Sequence, residues 1–358
     1  PRGNDGCQAD CQDICYPASW GCLSNADCCS GLSCSNGVCA AGGGGINTES
    51  CSYTTSFDGG DGNDPNASPY LISNCIQLQW ICNEPTKFYK LAANVDCSGT
   101  ASWNSGRGFD PIAGFDGSLN GNGFVISDLT INRPTTDEVG VFKRTLATSD
   151  TIWNVGLSNV SVVGRNYVGA LVGRGAKYIL RTYVTGSVSG ESYVGGLAGE
   201  VIYSLSDSYS KATVTASVQI AGGLAGSLAG GSIERSYATG NVTAPAEAGG
   251  LIGYVDVPSV TGAFDSFATG NVSGAGTKGA VFGNSDDSVT TNVHWHDHAG
   301  NPDTCCDSGD SCSLNCAPQI SVNYFYNSSN SPMNAWLFGV GGWQSGSTFP
   351  CLAWESSC

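Results

Sequence analysis

Val194-Gly195-Gly196-Leu197, Ala221-Gly222-Gly223-Leu224 and Ala248-Gly249-Gly250-Leu251 carry one pattern, and reading it decides the fold. Looser copies stand at Val139-Gly140-Val141-Phe142, Val168-Gly169-Ala170-Leu171 and Lys278-Gly279-Ala280-Val281. Successive starts lie 29, 26, 27, 27 and 30 residues apart. A second pattern follows in four units: Tyr183-Val184-Thr185-Gly186, Tyr209-Ser210-Lys211-Ala212, Tyr237-Ala238-Thr239-Gly240 and Phe267-Ala268-Thr269-Gly270. A fixed period of this size marks a repeat architecture.

Each unit alternates apolar and small polar residues, rich in Val, Thr, Ser and Tyr and cut by Gly. That is strand chemistry of period two. No helical stripe of ten residues interrupts it. One unit cannot bury its own apolar face, so neighbours must stack. The expectation is an all-β chain: a parallel β-solenoid, one coil per repeat, with coils about 4.8 Å apart. Crossover rules favour a right-handed coil.

The run Gly222-Gly223-Leu224-Ala225-Gly226 followed by Ser236-Tyr237-Ala238-Thr239-Gly240-Asn241-Val242, with its counterparts in other units, resembles the GLUG repeat of microbial surface proteins and adhesins. Phe88–Asp96 and Phe115–Asn132 are similar to that family's lead-in. The resemblance covers roughly residues 50 to 300. It implies a β-solenoid at a cell surface or in an extracellular assembly, and no catalytic residues, because the motif is structural. Arg174 and Asp286-Asp287 break the pattern and predict irregular loops or an end coil.

Only 12% of the 358 residues are charged, and the net charge is −16. Such a balance repels nucleic acid, which is bound by phosphate neutralisation. No apolar run approaches 18 residues, so no membrane span is expected. The start at Pro1 reads as a processed mature protein. The even count of 18 cysteines argues for disulfides and an oxidising, extracellular compartment.

Eight cysteines fall in residues 1–39: Cys7, Cys11, Cys15, Cys22, Cys28, Cys29, Cys34 and Cys39. A segment this short needs staples in place of a core. Spacing alone leaves 15 connectivities for six cysteines. From Cys15 the spacing resembles the inhibitor cystine knot, or knottin. That resemblance implies the pairs Cys15–Cys29, Cys22–Cys34 and Cys28–Cys39. Residues 40–45, Ala40-Ala41-Gly42-Gly43-Gly44-Gly45, read as a flexible tether.

Residues 46–138 read as an N-terminal cap and first coils, 139–284 as the repeats, and 285–358 as a C-terminal cap rich in cysteine and aromatics. Leu71 to Trp80 is expected to form a short helix plugging the solenoid's open end, where unpaired strand edges need cover. Phe57-Asp58-Gly59-Gly60-Asp61-Gly62-Asn63-Asp64 offers oxygens to calcium, but turn chemistry explains it without a metal. His294, His296 and His298 alternate, so an extended backbone sets them on one face as candidate zinc or copper ligands. The competing reading is a polar strand end. Cys305, Cys306, Cys312 and Cys316 bracket an acidic loop, and Cys351 and Cys358 are expected to close the tail. Trp336, Trp343 and Trp354 make the end aromatic-rich.

Sequons mark Asn159, Asn241, Asn271 and Asn327 as candidate N-glycan acceptors. Asn66 is a fifth, disfavoured by Pro69. Asn241 and Asn271 fall at equivalent places in successive repeats. For catalysis, Asp207, Glu234, Asp256 and Asp265 read as scattered, and Arg174, Arg181 and Arg235 as isolated. No nucleophile elbow, phosphate loop or nucleotide fingerprint occurs. The expectation is therefore no enzyme and no cofactor. The functional expectation is an extracellular structural glycoprotein, self-associating head to tail into a surface filament. An adhesin or carbohydrate-binding protein is the alternative, and a polysaccharide lyase the remaining one.

Overall fold

The computed structural model describes residues 55–145, 151–256, 262–285, 289–297, 301–302, 304–306, 316–319, 342–344 and 350–355, with the backbone alone of 32–35 and 38–41. The repeats form a parallel β-solenoid. Among the described residues its faces are sheets of 14, 13 and 5 strands. The main line of the first face runs through nine strands, from Tyr70–Ile72 to Phe282–Ser285. At about 4.8 Å per step, that rod is about 40 Å long.

The signature is a register mark. Val168, Val194, Ala221, Ala248 and Lys278 pair in one line along the third face. Phe142, Val172, Ala198, Ala225, Ile252 and Phe282 pair in another along the first. Between the two lines the chain turns a corner, and Leu171, Leu197, Leu224, Leu251 and Val281 point inward there, fully buried. Each such aliphatic side chain contributes about 1.5–3 kcal/mol by leaving water. The Gly of the signature permits the corner. A Cβ on Gly222 would overlap the carbonyl oxygen of Ala225 and the amide nitrogen of Gly253. Arg174 lies in this regular structure, paired with Arg144 between strands, so the irregular loop expected there is absent.

The opposite corner has a different device. Arg181, Asp207, Arg235 and Asp265 hold φ values of 50°, 49°, 42° and 47°, a left-handed turn made without glycine. The next residue in each is Thr182, Ser208, Ser236 or Ser266, and all four are fully buried. Each hydroxyl donates to the carbonyl two residues back, at 3.1, 2.7, 2.7 and 2.7 Å. The Ser208, Ser236 and Ser266 oxygens also accept the backbone N–H of the equivalent residue one coil earlier, at 3.1–3.2 Å. This internal ladder satisfies groups that burial would otherwise leave costly. Replacing Ser236 with Ala is expected to lower stability by about 1–3 kcal/mol, because the Ser208 N–H loses its acceptor. Chemical denaturation measures it, and a loss below a few tenths would mean that another acceptor replaces the hydroxyl.

The helix at the N-terminal end is shorter than expected. Tyr70–Ile72 is a strand paired with Tyr89–Leu91, and the helix is Cys75–Trp80. Asn74 caps it by accepting the Gln77 N–H at 3.0 Å. Strand pairing takes Leu71, and the cap residue sets the helix start. Phe57 stacks on Tyr70 with centroids 4.4 Å apart and closes this end of the rod. A Cys75–Cys97 disulfide ties the helix to the first coils. At the far end Cys305–Cys316 is bonded, and Cys82, Cys306 and Cys351 are also in disulfides. Leu32–Ser35 and Val38–Ala41 pair antiparallel, with Cys34 opposite Cys39. Cys15, Cys22, Cys28 and Cys29 lie outside the described residues, so the knottin pairing does too.

Candidate functional site

The second signature builds an aromatic column. Gly156, Tyr183, Tyr209, Tyr237, Phe267 and His294 share one register line along the second face. From Tyr183 to Phe267 the ring centroids are 4.9, 4.8 and 4.9 Å apart, within 6° of parallel. In-register pairing imposes that spacing, and each stacked pair adds about 0.5–1.5 kcal/mol beyond burial. The column ends at Gly156, where any Cβ would meet the Tyr183 ring.

The C-terminal segment lies across this column as a strap. Trp343–Gln344 pairs antiparallel with Cys351–Leu352. The Trp343 ring is 5.6 Å from Phe267 and 6.1 Å from Tyr237. The Trp354 ring is 5.9 Å from Tyr209 and 6.3 Å from Tyr183, and its indole N–H donates to the Asp207 carbonyl at 2.9 Å. Glu355 accepts from the Tyr237 hydroxyl at 3.0 Å and from the Leu352 N–H at 2.6 Å. Lys211 stands over Tyr209 with its ammonium 4.7 Å from the ring centre.

Burial pushes the Glu355 carboxyl above its ordinary value, opposed by the Leu352 N–H, the Lys211 charge and the Tyr237 hydroxyl. A carboxyl raised in the folded state adds stability fully present below its unfolded value and lost as pH rises through the folded one. Strap docking should therefore tighten as pH falls toward about 4. Tryptophan fluorescence should follow that change, and Glu355→Gln should abolish its pH dependence while keeping the strap docked. An unchanged pH profile in Glu355→Gln would contradict this assignment.

Beside the strap opens a cleft of about 500 Å³ lined by Asn122, Asn154, Gly156, Tyr183, Trp354 and Glu355, among others. That size is typical of small-molecule sites. A second cleft of about 520 Å³, lined by Ser98, Asp128, Asn159 and Ser187, has no aromatic wall.

Two ionic columns flank these features, and both correct the sequence expectation of scattered acids and isolated arginines. Asp207, Arg235 and Asp265 share one coil position, each donating its backbone N–H to the next coil at 2.9–3.0 Å. Arg235 forks onto Asp207 at 2.7 and 3.0 Å and reaches Glu234 at 3.3 Å. On the first face Arg174 meets Glu200 at 2.9 Å and stands 4.4 Å over the Tyr167 ring, while Arg144 pairs with Glu138. Tyr167 and Tyr193 stack at 4.6 Å despite φ values of 56° and 55°.

At the other corner Arg165 donates twice to Asp137 and, as the largest cause, holds its carboxyl down at about 2. That contribution is present above the ordinary carboxylate range and lost as pH falls toward about 2. Side-chain exposures of 43% and 41% keep it small.

The sequence-derived candidates fall apart in space. His294 is fully buried as the last rung of the column, near the Gln319 amide at 3.4 Å; His296 is partly exposed, and His298 lies outside the described residues. Among the described residues no three His, Cys, Asp or Glu converge as metal ligands. Asp61 and Asp64 accept local N–H groups of Asn63, Asn66 and Ala67. Asn159, Asn241 and Asn271 are exposed, and Asn327 lies outside the described residues. The Asn241 oxygen accepts the Asn271 N–H at 3.1 Å, and Val242 pairs with Val272, so these two stand in line. The Asn159 amide instead donates to Asp128 at 2.6 Å. Sequence reasoning missed the strap and its cleft; the aromatic-rich terminus was the only sign of them.

Residues 218–243 match the GLUG motif. A stretch of 195 residues, 51% of this chain, is 41% identical to halomucin of Haloquadratum walsbyi. The chain spans only 2% of halomucin's length. A crystal structure from Bacteroides ovatus, described as a "putative immunoglobulin A1 protease", superposes with a TM-score of 0.61. It is 22% identical and covers 84% of this chain and 96% of its own, a likeness of fold alone. The motif lies within the parallel β-solenoid. No helix among the described residues is long and apolar enough to cross a membrane.

The B. ovatus structure also corrects the expectation that this chain is no enzyme. A protein of the same fold is described as a protease. Missing nucleophile and nucleotide motifs therefore do not exclude catalysis in a solenoid of this kind. That description belongs to the B. ovatus protein, and no activity is carried over from it.

Proposed function

We propose that the chain is a subunit of an extracellular fibre, a rigid glycosylated rod joined head to tail to further copies through its tethered N-terminal module. The observation that carries this reading is the continuous parallel pairing of nine strands along the first face from Tyr70 to Ser285. Such a rod is stiff along its axis, as a load-bearing surface element must be. A head-to-tail contact does not close on itself and so builds a filament. Exposed Asn241 and Asn271 in line are suited to a row of glycans along one side. Comparing the full chain with one lacking residues 1–45 tests the joint. Filaments from the first and dispersed rods from the second are expected; filaments from both would sink the proposed joint.

A second reading, a carbohydrate-binding adhesin, is favoured by the strap cleft, where aromatic faces meet a carboxylate and two amides.

A further inference from the structure

We propose that the cleft beside Trp354 is a saccharide subsite that takes a single uncharged pyranose ring against Trp354 and the edge of Tyr183. This rests on the adhesin reading above and names its site and ligand class. Tyr183 is the last ring of the column and packs onto Gly156, which has no side chain to continue the stack, so the ring presents its edge to the cleft. The cleft opens there, with backbone-rich walls at Gly123, Val125, Val155 and Gly156. A flat ring with one apolar face fits an aromatic edge of this kind. The carbon-bound hydrogens of a pyranose supply such a face.

The polar groups suit the rim of the same ring. Asn122 and Asn154 sit on adjacent coils at the cleft edge, and the Asn122 amide nitrogen donates to the Leu91 carbonyl at 3.4 Å. The Asn154 amide offers both donor and acceptor, and Asn122 keeps its oxygen and one N–H, as hydroxyl groups require. Both hold left-handed φ, 53° and 54°, which fixes them at the cleft edge. Glu355 adds a carboxylate acceptor on the strap side, held by the Tyr237 hydroxyl and the Leu352 N–H. A few placed polar groups around an apolar surface are the ordinary composition of a small-molecule site.

The charges select against other ligands. Glu355 and the net charge of −16 repel uronic and other acidic sugars. A cation would find aromatic faces too, but Lys211 already stands over Tyr209, 4.7 Å from its centre, and 5.9 Å from that of Tyr237. The chain supplies its own cation there, and a second would be repelled. The other cleft, of about 520 Å³, lacks any ring to stack on.

The test titrates the full chain with glucose, galactose, mannose, N-acetylglucosamine, glucuronic acid and tetramethylammonium. Tryptophan fluorescence and saturation-transfer NMR report binding. At least one neutral sugar should bind in the millimolar range, as befits one small ring. Glucuronic acid should bind at least about tenfold more weakly. Asn154→Gly keeps the left-handed turn and should weaken the neutral sugar about tenfold. Glu355→Gln keeps the strap and should narrow the gap between neutral and acidic sugars. Near-UV circular dichroism verifies that both variants stay folded.

Binding of a neutral sugar that both variants leave unchanged would overturn the cleft and leave the adhesin reading standing. No sugar binding at all, or binding of tetramethylammonium alone, would overturn both.

Discussion

Phe267→Ala is expected to destabilise the protein by about 3–5 kcal/mol, the usual loss for emptying a fully buried aromatic site. Phe267 is fully buried between Tyr237, 4.9 Å away, and the Trp343 ring at 5.6 Å. The cavity cannot collapse cheaply, because strand pairing on both sides holds the backbone at its spacing. The strap loses the ring beneath Trp343 at the same time, so tryptophan emission should shift to the red before global unfolding. Chemical denaturation gives the loss. Val218→Ala, at a residue 52% exposed, serves as the control and should change stability by less than about 0.5 kcal/mol. Equal behaviour of the two variants would mean that the column is decoration rather than structure.

Gly222→Val should be at least as severe, about 3 kcal/mol or more, at or beyond the upper end of overpacking losses. The new Cβ meets the carbonyl oxygen of Ala225 and the amide nitrogen of Gly253, and both are backbone atoms that no rotamer change can move aside. Relief requires displacing the strands Ala225–Leu228 and Ile252–Val255, which pair with each other on the first face. The same overlap recurs at Gly195 and Gly249 with their own neighbours, so Val at those positions should act alike. Circular dichroism melts measure it, and a melting temperature within about 2 °C of the parent would contradict the corner geometry.

Both effects trace to residues whose importance the sequence displays. Gly222 and Phe267 belong to signatures that repeat at the coil period, and each coil presents them at the same register. The ionic columns were hidden for the converse reason. Asp207 and Arg235 are 28 residues apart, while coils vary from 26 to 30 residues, so no constant offset reveals the pair. Their left-handed corner is built by Asp and Arg, and it lacks the glycine that usually announces such a turn. The strap was less legible still. Glu355 reaches Tyr237 across 118 residues and Trp354 reaches Asp207 across 147, contacts that leave no local pattern. The helix expected from Leu71 starts only at Cys75 because Tyr70–Ile72 takes its strand partner, a tertiary effect. The expectation of no catalysis rests on acids read as scattered as well as on motifs from other folds, and neither excludes an enzyme of this fold.

Negative-stain electron microscopy of the full chain, purified without denaturant, decides whether it is a fibre subunit. Unbranched fibres are expected, with a regular axial repeat no shorter than the solenoid's own length of about 40 Å. Dispersed single rods at every concentration tried would contradict it.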